Sequence, residues 1–204
     1  MLAQELLSEF EKGLNPQKPA ESKIPARIVG YGEISAIFEI EADKNHVYKR
    51  LPLFDSLVTA RHYQQMYLDY CSLLVQAGLF LPAHDTRVVA VPGRPTALYI
   101  AQKKLPDANF GQNLIHLLDD NYSLDLIADT IREIVKIWNF NSARKPDIEL
   151  AIDGQLSNWV RDSENNKRLY YIDTSTPLFC KQGVEQQNPE LLLKSAPGFL
   201  RWII

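Results

Sequence analysis

The sequence predicts an α+β fold in two lobes: an antiparallel sheet of about five strands with one inserted helix, then a mainly helical lobe. Three observations predict it. Short apolar stretches punctuated by Gly and Pro fill the first half. One long helical pattern interrupts them after the third stretch, and beyond Pro106 the apolar spacing becomes helical.

Taken in order, Leu2, Leu6, Leu7, Phe10 and Leu14 recur at helical spacing, so a short amphipathic helix is expected from Leu2 to Leu14. Gly13, Pro16 and Pro19 punctuate its end, and a polar stretch leads to Pro25. Ile28, Val29, Ile34, Ala36, Phe38 and Ile40 surround Gly30 and Gly32, the pattern of a strand, a glycine turn and a returning strand. His46 to Leu51 reads as a third strand. Ser56 to Ala77 is the clearest helix of the first half, with Leu57, Ala60, Tyr63, Tyr67, Tyr70, Cys71 and Leu74 on its apolar side and Gly78 as its stop. Arg87–Val91 and Thr96–Ala101 supply two more strands, joined through Pro92-Gly93-Arg94-Pro95.

The second half is expected to open with helices over Asn113–Leu118 and Ser123–Phe140, the latter capped by Ser123. Two short apolar segments follow, Glu149–Ile152 and Leu169–Ile172, and each runs directly into an aspartate. The expected divisions are 1–24 (helix and linker), 25–105 (N-terminal lobe) and 106–204 (C-terminal lobe).

Composition narrows the function. A net charge of −3 over 204 residues gives no basic face for nucleic acid, and no run of about 18 apolar residues suggests a membrane span. The first residues lack the basic and apolar regions of a signal peptide. Cys71 and Cys180 have no CxxC spacing, so a reducing, cytoplasmic setting is expected.

The chemistry-bearing residues form a set in fixed order: Gly30 and Gly32, Lys49, Asp69, Asp153 with Asn158, and Asp173. Asp153 and Asn158 stand five positions apart after Leu150-Ala151-Ile152, and Tyr170-Tyr171-Ile172-Asp173 repeats the form of apolar strand followed by acid. This resembles the H-x-D-x-x-x-x-N and D-F-G segments of the protein-kinase-like superfamily. The version here looks closest to the aminoglycoside and choline phosphotransferase branch. Upstream, Gly30-Tyr31-Gly32 looks like an abbreviated glycine-rich loop, and Val47-Tyr48-Lys49-Arg50-Leu51 looks like the third-strand lysine motif. Asp69 stands about where the superfamily keeps the acid that holds the lysine, with Gln65 as a competitor. Ala101-Gln102-Lys103-Lys104-Leu105 falls where the hinge meets adenine.

The resemblance runs from about Ile28 to Pro177. It implies an ATP- and Mg²⁺-dependent phosphotransferase acting on a small-molecule hydroxyl. Asp153 would take the hydroxyl proton, and Asn158 and Asp173 would hold Mg²⁺. Lys49, ion-paired with Asp69, would contact the phosphates beneath backbone N–H groups of Gly30–Gly32, and the backbone of Gln102 and Lys103 would meet the base.

Four departures count against an ordinary active kinase, and the first two of them favour an alternative, a pseudokinase that binds nucleotide or a protein partner without transfer. Ala151 replaces the histidine, the third glycine is missing, Asp173 is followed by Thr174-Ser175, and position 69 is one methylene shorter than glutamate. Only 31 residues follow Asp173 (204 minus 173), so the C-terminal lobe is expected to be incomplete, with Gly198–Ile204 opening a further helix. Trp138 and Trp159 are expected as core anchors, Gln186-Gln187-Asn188 as a solvated loop, and Asp119-Asp120 as favourable charge at a helix start.

Overall fold

The computed structural model describes residues 4–117, 119–162, 164, 168–188 and 191. It is an α+β structure whose N-terminal part is a five-stranded antiparallel sheet, as the sequence predicts. Helix α1 (Gln4–Gly13) leads through a 3₁₀ turn to strands β1 (Ala26–Tyr31), β2 (Ala36–Ile40) and β3 (His46–Phe54). Helix α2 (Leu57–Gln76) precedes β4 (His84–Val89) and β5 (Thr96–Lys103), and the spatial order is β1-β2-β3-β5-β4. α2 ends where the apolar pattern ends, and Gly78 turns the chain away at φ +93°, a conformation glycine adopts without steric cost.

Helices α3 (Gly111–Leu117) and α4 (Asp120–Arg144) follow, then β6 (Ile148–Leu150), the hairpin β7 (Trp159–Arg161) with β8 (Leu169–Tyr171), and β9 (Phe179–Lys181) with β10 (Val184–Glu185). β10, β9 and β6 form a three-stranded sheet, and β7 pairs β8 alone. No described helix is long and apolar enough to cross a membrane. The helix expected at Gly198–Ile204 lies outside the described residues.

The described chain divides into two compact units. One holds residues 4–66, 83–104, 188 and 191, and the other holds 67–82, 105–117, 119–162, 164 and 168–187, so α2 contributes to both.

In the first unit the sheet is buried on both faces. Leu7 and Phe10 of α1, with Leu14 just after it, pack with Phe38, Ile40, Tyr48, Ala97 and Tyr99 on one face. Glu11, wholly buried, is anchored there by a bidentate Arg50, whose Nε and Nη2 reach Oε2 and Oε1 at 2.7 Å each. Tyr99 OH also donates to Glu11, and Arg94 approaches at 3.6 Å. On the opposite face α2 packs Tyr63 against Phe54 (ring centroids 5.4 Å apart), and Gln64 Nε2 donates to Thr86 Oγ1 at 2.8 Å.

In the second unit, Asn141 of α4 exchanges two hydrogen bonds of 2.8 Å with the backbone of Leu150, fixing β6 against the helix. Asp119, not Ser123, caps α4 by accepting the Tyr122 N–H at 3.1 Å. α4 buries Leu126, Thr130 and Ile137, whereas Trp138 is 63% exposed, which overturns its expected place in the core. Trp159 is fully buried, as expected. Gln187 is also buried, contrary to the solvated loop expected there.

Candidate functional site

The first unit holds Lys49. Residues directly opposite one another in an antiparallel ladder share a face, and the register runs Gly30↔Ile37↔Lys49↔Ile100↔Thr86. Since Gln64 of α2 bonds Thr86, Lys49 stands on the α2 face of the sheet, one residue from Arg50 on the α1 face. Lys49 is 5% exposed. An amine held at that depth needs polar or anionic company, and a buried β-strand position is a costly place for a merely solubilising cation.

The glycine segment forms a hairpin. Gly30 and Tyr31 belong to β1, and Gly32 N–H donates to Ser35 O at 2.8 Å to close the connection. The amide of Gly32 is therefore spent. Among the described residues, the N–H groups of Glu33 and Ile34 take no hydrogen bond. The Ser35 hydroxyl is buried without a partner among the described residues.

Gln102 lies mid-ladder between Val47 and His84, its side chain buried. The amide of Lys103 donates to Ala83 O at 2.7 Å, and that of Lys104 to Asn45 O at 2.8 Å. Backbone donors at this end of β5 are thus consumed by the sheet, and Leu105 is the first residue beyond it whose N–H is not so committed.

The second unit gathers the acidic candidates. The segment after β6 carries Asp153, whose Oδ1 accepts the Gln155 N–H at 3.0 Å and closes a tight turn. Asn158 Nδ2 donates to Asp153 O at 3.2 Å. Ile172 N–H donates to Asn158 O at 3.0 Å, extending the β7–β8 ladder to its open end, and Asp173 is the next residue. One web of bonds therefore connects the segments bearing Asp153, Asn158 and Asp173. Among the described residues no hydrogen bond or ion pair takes up the Asp173 carboxylate.

Two glycines permit this packing. A Cβ on Gly111, at the start of α3, would lie 2.5 Å from Leu156 O, and one on Gly154 would meet Ile134 Cδ1 at 3.0 Å. The turn after Asp153 is thereby wedged between α3 and α4.

Tyrosines that the sequence reading took only as apolar surface hold these segments from below. Tyr70 OH donates to Ala151 O at 2.7 Å, and Asp153 N–H donates to Tyr171 Oη at 3.2 Å. Thr174 Oγ1 donates to Tyr67 Oη at 3.4 Å. Burial pushes both the Tyr70 and Tyr171 phenols up, and the charge of Asp173 pushes each further; Asp153 adds to the effect on Tyr171. Both carboxylates are thus electrostatic neighbours of Tyr171. The available signal was Ala151 itself, since a methyl where a hydrogen-bonding side chain is expected requires another group to hold the turn.

Asp69 is engaged by Lys181, whose Nζ lies 3.1 Å from Oδ2 on a half-exposed flank of α2. This is a partner the sequence did not nominate.

The donor set fits a hard divalent cation. Asn158 commits its nitrogen to Asp153 O, which leaves its amide oxygen as the available donor, and Asp173 adds a carboxylate. Magnesium is characteristically held by one or two protein oxygens together with water and phosphate.

Sheet order, inserted helix and the acid-bearing turns are consistent with a kinase-like α+β fold. The chain belongs to DUF6206, described as a family of unknown function, whose model matches residues 18–203. No curated protein matches it. Among solved structures it is similar to one titled "WaaP in complex with acyl carrier protein", at 12% identity and a TM-score of 0.44, over 95% of this chain and 77% of that one.

Proposed function

We propose that this protein is a kinase-like phosphotransferase that uses ATP and Mg²⁺ to phosphorylate a hydroxyl of a small molecule. The observation that carries the reading is the bonded web joining the backbones of Asp153, Asn158 and Asp173, with the Asp173 carboxylate left without a hydrogen bond among the described residues. The buried Lys49 is its counterpart in the first unit. A carboxylate that no described group takes up, with an amide oxygen also left over in the same web, offers hard oxygen ligands to a metal ion.

In this reading Asp153 orients the acceptor hydroxyl and takes its proton. The hydroxyl oxygen bonds to the γ-phosphorus, and the bond from that phosphorus to the β–γ bridging oxygen breaks to leave ADP. Lys49 pairs with phosphate oxygens, and Asn158 and Asp173 hold the metal. Mg²⁺ supplies neutralisation of phosphate charge. Phosphate-facing backbone donors come from Glu33 and Ile34 rather than Gly32, whose amide is used within the hairpin. The base would meet Leu105 rather than the amides of Lys103 and Lys104.

Ala151 and Thr174 are the observations that favour the second reading, a pseudokinase that binds nucleotide without transfer. Thermal denaturation with ATP, with and without Mg²⁺, tests both. A ligand that binds only the native state raises Tm, by RT ln(1 + [L]/Kd) in free energy. The expected result is a Mg²⁺-dependent rise abolished by Asp173→Asn, together with ATP turnover lost in Asp153→Asn. Binding without turnover supports the pseudokinase, and absence of any shift removes both.

A further inference from the structure

Position 151 presents a methyl group where the resembled pattern has a histidine, yet the turn it introduces is not loose. Its carbonyl receives the Tyr70 hydroxyl at 2.7 Å, and two residues on, the Asp153 amide donates to the Tyr171 hydroxyl at 3.2 Å. Both rings are buried and already have packing partners. Tyr70 stacks on Phe179 with centroids 6.0 Å apart, and Tyr171 leans on Trp159 at 5.1 Å.

The rings alone would fill the same space as phenylalanine. A buried hydroxyl costs free energy unless it is bonded, and here both hydroxyls are used on the backbone flanking Ile152. Tyr171 also lies two residues before Asp173 on β8.

We propose that Tyr70 and Tyr171 are positioning residues for Asp153: their hydroxyls grip the turn at Ala151 O and Asp153 N–H, and so set the direction of the Asp153 carboxylate. Because Tyr171 and Asp173 share one short run of chain, the same hydroxyl also fixes the spacing between the base and the metal-binding acid. Tyr70 brings α2 into the arrangement, so a displacement of that helix would release the base. This rests on the phosphotransferase reading for its catalytic consequence but not for the clamp itself.

The test uses the full chain with Tyr70→Phe and Tyr171→Phe, which keep both rings and remove only the hydroxyls. Amide exchange followed by NMR is expected to quicken at least tenfold at Asp153 in Tyr171→Phe, while the amides of β3 and β5 stay as in the wild type. ATP turnover is expected to fall ten- to a hundred-fold in kcat in each variant, with KM for Mg-ATP within twofold. The double variant should lose less than the product of the single losses, because both hydroxyls act on one turn. Unchanged Asp153 exchange, or loss spread evenly over the fold, overturns the clamp. Faster exchange with kcat unchanged overturns the positioning role. A wild-type chain without turnover removes the phosphotransferase reading, and exchange at Asp153 alone then decides the clamp.

Discussion

Glu11 and the pair Asp153 and Asp173 are carboxylates set among tyrosines, and the molecule treats them oppositely. Glu11 is wholly buried, and its oxygens are filled by Arg50 and Tyr99, with Arg94 close by. Burial alone would push its carboxyl up, but the Arg50 and Tyr99 hydrogen bonds and the two guanidinium charges outweigh that and hold it below the usual value. Asp153 accepts one backbone N–H, and Asp173 accepts no hydrogen bond among the described residues. A saturated carboxylate fastens α1 to the sheet, whereas an unsaturated one has valence left for a ligand. Charge and burial are poor guides to function on their own; what remains unfilled is the better guide.

The comparison can be broken by exchanging the roles. Glu11→Ala strands Arg50 in the core, and breaking a buried pair by removing one partner typically costs about 3–5 kcal/mol. Chemical denaturation should register a loss of that size. Asp153→Asn keeps an oxygen to accept the Gln155 N–H, so stability should stay within about 0.5 kcal/mol, while turnover should fall by roughly 10²–10⁴ if the residue is a general base. If the two substitutions gave similar stability losses, the distinction between the regions would fail.

Acid sharpens the same contrast. Because the Glu11 carboxyl is held below its ordinary 4.5, its contribution is fully present above that value and is lost as pH falls through the depressed one. The melting temperature of the wild type should therefore drop on acidification below about pH 4.5, the ordinary glutamate range. Glu11→Gln should start lower at neutral pH and depend less steeply on pH there. The smallest effect belongs to Trp138, set against Trp159. Trp159→Ala should cost about 3–5 kcal/mol as a core truncation, while Trp138→Ser, at an exposed site, should stay within about 0.5 kcal/mol.

That last pair marks how far the sequence could be read. α2 was legible because its apolar residues keep to one side and Gly78 ends it. α4 was legible as a helix but not as an oriented one. Leu126, Ile127, Thr130, Ile131, Ile137 and Trp138 cover so much of its circumference that spacing cannot say which side faces the core. Its start was misplaced because Asp119 and Ser123 are both competent caps. The strands of the first unit were legible as short apolar stretches set off by Gly and Pro, although β4 begins at His84, earlier than its apolar run suggests. β7, β9 and β10 are two or three residues long, too short to carry a period.

The acidic positions stood out in the sequence because acid after apolar strand occurs twice at close range. Their support did not. Tyr70 reaches a carbonyl 81 residues away, and Arg50 reaches Glu11 across 39, distances over which local pattern carries no information. The commitment of the Lys103 and Lys104 amides to Ala83 and Asn45 was hidden for the same reason, since it depends on the register of three strands.

Paramagnetic broadening by Mn²⁺ in the presence of ATP, read on assigned amide signals, tests the central claim most directly. The account predicts selective loss of the Asn158 and Asp173 signals, no effect at Glu11, and no selective loss in Asp173→Asn. Uniform broadening, or a focus away from the β7–β8 end, would contradict it.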